Sequence, residues 1–240
     1  MTGLLSIERR GPVALLTLQR PEKRNALSID LRVELAEAFA GLASGDGVTC
    51  IVLTGAGSAF CSGMDVTEFG GDAEHKQRLV SSSTGAFEAV GSCRLPVFAA
   101  VNGPALAGGF ALALLCDVRI AASSATFGFP ELPRGIPPSY AAARAVLGPG
   151  PAAEIALSGR TFGAGEALRL GVVSEVVADR EVLGRTLEAA DRVAAAPRAA
   201  TLETKRRILL DRERSLGDLF AEESRVFREA LLGDPPDDAA

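Results

Sequence analysis

The sequence predicts an α/β fold, with a mainly parallel sheet, right-handed helical crossovers and a helical C-terminal third. Three observations carry that prediction. The apolar runs VTCIVLTG, VFAAVN and DVRIAAS read as buried strands and alternate with helical stretches. The first two of these strands each run into a glycine-rich turn, GAGSAFCSG and GPALAGG. Beyond about residue 140 the pattern is chiefly helical, interrupted by one strand-like piece, VVSEVV.

Taken in order, the chain opens on two strands, LLSIERR and VALLTLQ, joined at Gly11-Pro12. The loop RPEKRNALS follows, and Ser28 is placed to cap a helix over IDLRVELAEAFAGLAS. After the first buried strand and its turn, Thr67 to Lys76 reads as a polar, mobile stretch, and a helix then leads to Pro96. GFALALLC is a short apolar helix entered directly from the second glycine-rich turn. AAARAVLG, PAAEIALSG and GEALRLG are helical, three longer helices are expected to about residue 232, and GDPPDDAA reads as a disordered tail.

Composition narrows the function classes. Of 240 residues, 48% are apolar, with no Trp and one Tyr, so a sizeable core must be built from small aliphatic side chains. A net charge of −5 argues against a general nucleic-acid or anionic-membrane surface. Cys50, Cys61, Cys93 and Cys116 have no CxxC spacing, so reduced and mostly buried thiols are expected. There is no signal-like apolar run at the start and no stretch of membrane-spanning length, so a cytoplasmic protein is expected.

Several chemistries lack their residues. His75 is the only histidine and sits in a polar stretch, which disfavours Ser-His-Asp or Cys-His catalysis and suggests a solvated loop residue. No metal-ligand spacing exists, and neither glycine-rich turn carries a dinucleotide or P-loop pattern. What remains is two glycine-rich turns at the ends of adjacent strands. Gly63, Gly108 and Gly109 let backbone approach a ligand, and two such turns could aim two N–H groups at one developing oxyanion. On spacing alone they are equally well the tight turns of any α/β fold.

Longer motifs separate these readings. NALS at Asn25–Ser28, VLTGAGSAFCSGMD at Val52–Asp65 and PVFAAVNGPALAGGFALALLCDVRIA at Pro96–Ala121 resemble the crotonase (enoyl-CoA hydratase/isomerase) family. So do ATFGFPELPRGIPP at Ala125–Pro138 and SGRTFGAGEALRLGVVSEVV at Ser158–Val177. The likeness runs in order over roughly residues 4–210. It implies a crotonase (ClpP-like) spiral of ββα units over residues 1–195, and a helical region over 196–240 that packs trimers, often paired into hexamers. It also implies acyl-CoA thioester substrates, with coenzyme A as part of the substrate and no separate cofactor or metal.

Transferred by position, the family's oxyanion amides fall on Met64 and Gly108, beside Gly63 and Gly109. Lys23, Arg24 and Ala26 lie in the loop whose counterpart touches the CoA nucleotide, although a solvated basic loop explains Lys23 and Arg24 as well. Ala59, Ser62 and Asp65 lie in the segment that meets adenine and pantetheine. Of the two glutamates the family commonly uses, the one in Phe129-Pro130-Glu131 is present and the other position holds Ala111. Asp117 is expected to cap or to accept a buried hydrogen bond rather than to replace the missing glutamate. Pro137-Pro138-Ser139-Tyr140 replaces a glycine-rich segment of many hydratases, and the basic C-terminal segment of relatives is lacking. These features imply thioester-enolate chemistry with Glu131 as the single proton carrier, by hydration or double-bond isomerisation. Decarboxylation or other enolate chemistry, and a non-catalytic acyl-CoA-binding scaffold, are the alternatives.

Overall fold

A computed structural model of the chain describes residues 3–45 and 47–232, with backbone alone for 213–217 and 230–232. The tail expected to be disordered, 233–240, lies outside the described residues. Strands β1 (Leu5–Arg10) and β2 (Val13–Leu18) form an antiparallel hairpin, and helix α1 (Ile29–Ser44) returns the chain to β3 (Cys50–Gly55). Ser28 caps α1 by accepting the Leu31 N–H at 3.3 Å, as its position in the sequence predicts. Helix α2 (Ala73–Gly91) leads to β4 (Val97–Val101), then β5 (Ala105–Leu106), α3 (Gly108–Leu115), β6 (Val118–Ala122) and β7 (Thr126–Gly128). Helices α4 (Tyr140–Leu147) and α5 (Pro149–Ser158), strand β8 (Thr161–Gly163), helix α6 (Ala164–Arg169) and strand β9 (Glu175–Val177) follow. Helices α7 (Val182–Ala194) and α8 (Arg198–Leu232) end the described chain.

Six strands make one sheet in the order β1-β2-β3-β4-β6-β9, parallel from β2 onward. Both faces of its centre are covered, which is why these strands read as continuous apolar runs. Val13, Leu15, Cys50, Val52, Phe98 and Ala100 point to a small cluster closed by Ala190, Leu183 and Leu187 of α7. Ala14, Leu16, Ile51, Leu53, Val97, Ala99 and Val101 point the other way, into the main core with Leu31, Leu35 and Phe39 of α1 and Val90 of α2. Neighbours along each strand thus belong to opposite cores, as the two-residue period of a strand requires. All four cysteines are buried free thiols. Burial pushes the thiols of Cys50, Cys61 and Cys116 up to about 12.

Three expectations need correction. Thr67 to Lys76 is not one mobile stretch: a short 3-10 turn spans Val66–Glu68, and α2 begins at Ala73. Asp72 caps α2 by accepting the His75 N–H at 2.8 Å, so His75 lies in a helix, with its Nε2 2.8 Å from the Glu68 carbonyl oxygen. The three long C-terminal helices are two, because the last pair runs on as the single 35-residue α8. A second sheet, β5-β7-β8, was not foreseen at all. Among the described residues no helix is long and apolar enough to cross a membrane.

Candidate active site

The two glycine-rich turns meet because their strands are neighbours. β3 and β4 pair in parallel, with Thr54 opposite Ala100. Beyond the strand ends Asn102 holds the turns together: its Nδ2 donates to the carbonyls of Gly55 at 2.9 Å and Gly57 at 3.0 Å, and its Oδ1 accepts the Gly55 N–H at 3.2 Å. The segments pair again at a parallel bridge, Cys61 with Ala105. Met64 and Gly108 lie three residues beyond that bridge on either side, so the two positions are in register.

Their contact is close. A Cβ on Gly63 would stand 3.2 Å from the Gly108 nitrogen and 2.8 Å from Ala107 Cβ. A Cβ on Gly108 would stand 3.6 Å from the Met64 nitrogen, in ordinary contact. Gly63, at φ +100, has a backbone conformation that suits glycine. Gly109 is a packing position, since a Cβ there would fall 2.1 Å from the Cys61 carbonyl oxygen. Ala107 holds φ 52 and ψ −129, a conformation costing a non-glycine residue about 1–3 kcal/mol. Its N–H is fastened to the Gly128 carbonyl at 2.9 Å, and α3 begins at the next residue. Among the described residues neither the Met64 nor the Gly108 N–H meets an acceptor. Two unpaired donors side by side, one at a helix N-terminus, form a small positive pole ready for an oxyanion.

Glu131 comes from the other sheet. Phe129 packs its ring 4.9 Å from Phe110 of α3, and Phe127 and Phe162 complete the aromatic cluster at 5.7 and 5.8 Å from Phe110. This cluster locks β7 and the residues after it onto α3. Glu131 is 8% exposed, and its Oε2 has no hydrogen-bond partner among the described residues. Desolvation pushes its carboxyl up from 4.5 to about 7, with its own N–H and Arg134 restraining the rise. Ala111, one turn into α3, is buried and cannot ionise.

The remaining predicted site residues surround the first turn. Lys23 and Arg24 are exposed, and Ser62 holds them near the turn, its N–H donating to the Arg24 carbonyl at 3.0 Å and its Oγ to that of Lys23 at 3.3 Å. Ala26 and Ala59 are buried. Asn25, which sequence reasoning gave no role, braces this loop by donating to the carbonyls of Ala56 at 2.9 Å and Ala59 at 2.8 Å. The Asp65 carboxylate is engaged within the chain, by Arg20 at 2.8 Å and the Thr67 hydroxyl at 2.6 Å. Desolvation works against its ionisation, but these bonds outweigh it and hold the carboxyl below the usual range.

Arg32 also went unnoticed. It is fully buried on α1, with Nη1 3.0 Å from the Met64 sulfur. Its signal was present in the sequence: an arginine on the helical face of Ile29, Ala36 and Phe39 interrupts an otherwise apolar stripe. Asp117 takes the structural role expected of it. It accepts the Val97 N–H at 2.8 Å and pairs with Lys205 at 2.7 Å and Arg212 at 3.1 Å.

Comparison with known proteins identifies the family. A family model described as enoyl-CoA hydratase/isomerase matches residues 8–232. A Rhizobium meliloti protein named "Probable enoyl-CoA hydratase" is 35% identical over 227 residues, covering 93% of this chain and 88% of that protein. The short-chain-enoyl-CoA hydratase of Clostridium acetobutylicum is 31% identical, covering 97% of this chain and 91% of its own length. The crystal structure of an enoyl-CoA hydratase/isomerase from Xanthobacter autotrophicus Py2 superposes with a TM-score of 0.90 at 29% identity, covering 98% of this chain and 90% of that one. The chain has the crotonase fold and belongs to the enoyl-CoA hydratase/isomerase family.

Proposed function

We propose that this enzyme binds an enoyl-CoA thioester with its carbonyl oxygen on the Met64 and Gly108 N–H groups, and that Glu131 alone carries the proton. The observations that support this most directly are the acceptor-free N–H pair in register and one buried carboxyl with a free oxygen, carried three residues beyond Gly128, whose carbonyl fastens Ala107. Charge that moves onto the thioester oxygen as the α-proton leaves is stabilised by donors already in place. A carboxyl titrating near 7 can both accept and return that proton close to neutrality.

With Ala111 in place of a second carboxyl, double-bond isomerisation is the simplest outcome. Glu131 removes a proton from C2 of a 3-enoyl thioester, the electron pair moves into the carbonyl as enolate, and the same carboxyl returns the proton to C4. Hydration is the second reading, favoured by the names of the relatives. There Glu131 takes a proton from water as its oxygen bonds to C3, and then gives that proton to C2. Lys23, Arg24, Ala26, Ala59, Ser62 and Asp65 border the CoA portion in this reading, Asp65 and Ser62 by positioning the loop. Assembly into a trimer or hexamer and a cytoplasmic setting belong to the same proposal.

The test is incubation in deuterated buffer with 2-enoyl, 3-enoyl and saturated acyl-CoA thioesters, followed by mass spectrometry. Deuterium at C4 of the 2-enoyl product formed from a 3-enoyl thioester supports isomerisation, and a gain of one water supports hydration. Tight binding with neither exchange nor product would overturn the enolate mechanism and leave a binding scaffold.

A further inference from the structure

Among the described residues two arginines are buried, Arg32 and Arg119, and their surroundings differ. Arg119 satisfies its guanidinium with main-chain carbonyls, Nε on Val172 at 2.5 Å and Nη1 on Cys116 at 2.6 Å. Arg32, with no exposed surface, has no such set. Among the described residues its Nη1 meets only the weakly accepting sulfur of Met64 at 3.0 Å, and its Nε and Nη2 have no hydrogen-bond partner. Glu68 is 3.8 Å from Nη2, but the same Glu68 oxygen already accepts the Ile29 N–H at 2.8 Å. Asp65 is taken up by Arg20 and Thr67. Burial pushes the guanidinium down to about 10, which still leaves it charged at neutral pH. A buried cation with open donors is costly, and a methionine or leucine at this place on α1 would pack without that penalty.

The location gives the open donors a use. The Met64 side chain lies over Gly108, its Cγ 3.6 Å from where a Cβ on that glycine would be, with the Phe87 ring 3.5 Å from the same point. Arg32 is thus separated from the paired N–H groups by one methionine side chain. A groove of about 270 Å³ between α1 and α2 has Arg32, Ile29, Val33 and Ser82 in its wall, together with the charged Glu37 and Arg78. An acyl chain whose carbonyl sits on Met64 and Gly108 can reach the guanidinium by displacing only the flexible thioether.

We propose that Arg32 is the specificity residue for the acyl group and receives a carboxylate carried on it, so that the preferred substrates are CoA thioesters of dicarboxylic enoyl acids rather than plain hydrocarbon ones. The inference rests on the oxyanion site of the preceding reading for the direction of the acyl chain. A carboxylate on Nε and Nη2 would complete the planar fork that the protein leaves open.

Binding and turnover test it separately. Calorimetry on the wild-type protein would compare succinyl-, glutaryl- and adipyl-CoA with butanoyl-, pentanoyl- and hexanoyl-CoA, none of which can undergo hydration or a double-bond shift. At least one carboxylated thioester should bind about ten-fold or more tightly than its neutral isostere, the scale of one charge-assisted pair. Arg32→Met should abolish that preference and leave neutral thioesters unharmed, with an equal or higher melting temperature. Arg32→Lys should retain part of the preference. Wild-type protein that binds neutral and carboxylated series alike, or an Arg32→Met variant that keeps the preference, overturns the proposal. Preference in binding without turnover of the matching enoyl thioesters leaves this inference standing and removes the enolate mechanism. Turnover of neutral and acidic enoyl thioesters at equal kcat/KM removes the inference alone.

Discussion

Glu131 and Asp117 are both buried carboxylates, and almost everything else about them differs. Asp117, its side chain 9% exposed, is surrounded by donors: the Val97 N–H, the Lys205 ammonium and the Arg212 guanidinium. Glu131, 8% exposed, keeps an oxygen with no hydrogen-bond partner among the described residues. Burial alone therefore assigns neither residue its role. The saturated carboxylate of Asp117 joins β4, the α3–β6 turn and α8. A carboxyl denied partners is held near the protonation balance that acid–base work requires.

The largest expected effect is on the unsaturated side of this comparison. Glu131→Gln keeps shape and should bind CoA thioesters normally, while turnover falls by about 10²–10⁴-fold, the range of a general acid–base group. Retention of most activity in steady-state assays would show that this carboxyl is not the proton carrier. Next comes the proposed oxyanion pair. Gly108→Ala meets only ordinary contacts, so the variant should fold, yet its methyl stands 3.6 Å from the Met64 nitrogen and should cost about 10²–10³-fold in kcat. Gly109→Ala collides with the Cys61 carbonyl and should instead fail in stability. Circular dichroism alongside kinetics separates the two outcomes.

On the saturated side, Asp117→Asn leaves Lys205, 1% exposed, without its counter-charge. It should cost about 3–5 kcal/mol in denaturant unfolding, with near-normal turnover per folded molecule. Adding Lys205→Met should recover part of that loss.

The smallest effect is a pH dependence. Because the folded Glu131 carboxyl titrates near 7 instead of 4.5, the fold favours its protonated form. Its contribution to stability is complete below about 4.5 and is lost as pH rises through 7, by at most about 3 kcal/mol. Proton abstraction has the opposite dependence and should increase towards a plateau above 7. Glu131→Gln should flatten the stability curve in this window, and a curve unchanged by the substitution would mean that another group titrates there.

The parts legible in the sequence were those with a local cause. The β2, β3, β4 and β6 runs are apolar on both faces because α7 covers one and the main core the other, so continuous hydrophobicity found them. Ser28 declares its cap through its neighbours in sequence. The strands β5, β7 and β8 have two or three residues each, too few for any period to register, and they exist because distant segments pair. His75 looked loop-bound because no apolar period surrounds it, yet the Asp72 cap starts a helix there. Glu131 stood out only through likeness to a family motif. The segment that carries it is fixed by Phe110, Phe127, Phe129 and Phe162, which are brought together from three segments by tertiary folding.

The bridge between Cys61 and Ala105 has a consequence for which sequences can host this site. Each donor is reached by the same count of three residues from a shared pairing point, and a backbone N–H has no side chain of its own to be selected. Substitutions at Met64 leave its donor in place, whereas removing or adding one residue between Cys61 and Met64, or between Ala105 and Gly108, puts the two N–H groups out of step. Such a change turns the next residue's amide toward a different face while the strands behind stay intact. The proposed active site is therefore encoded as a distance along the chain, and natural variation in these two turns should run to changes of letter and almost never to changes of length.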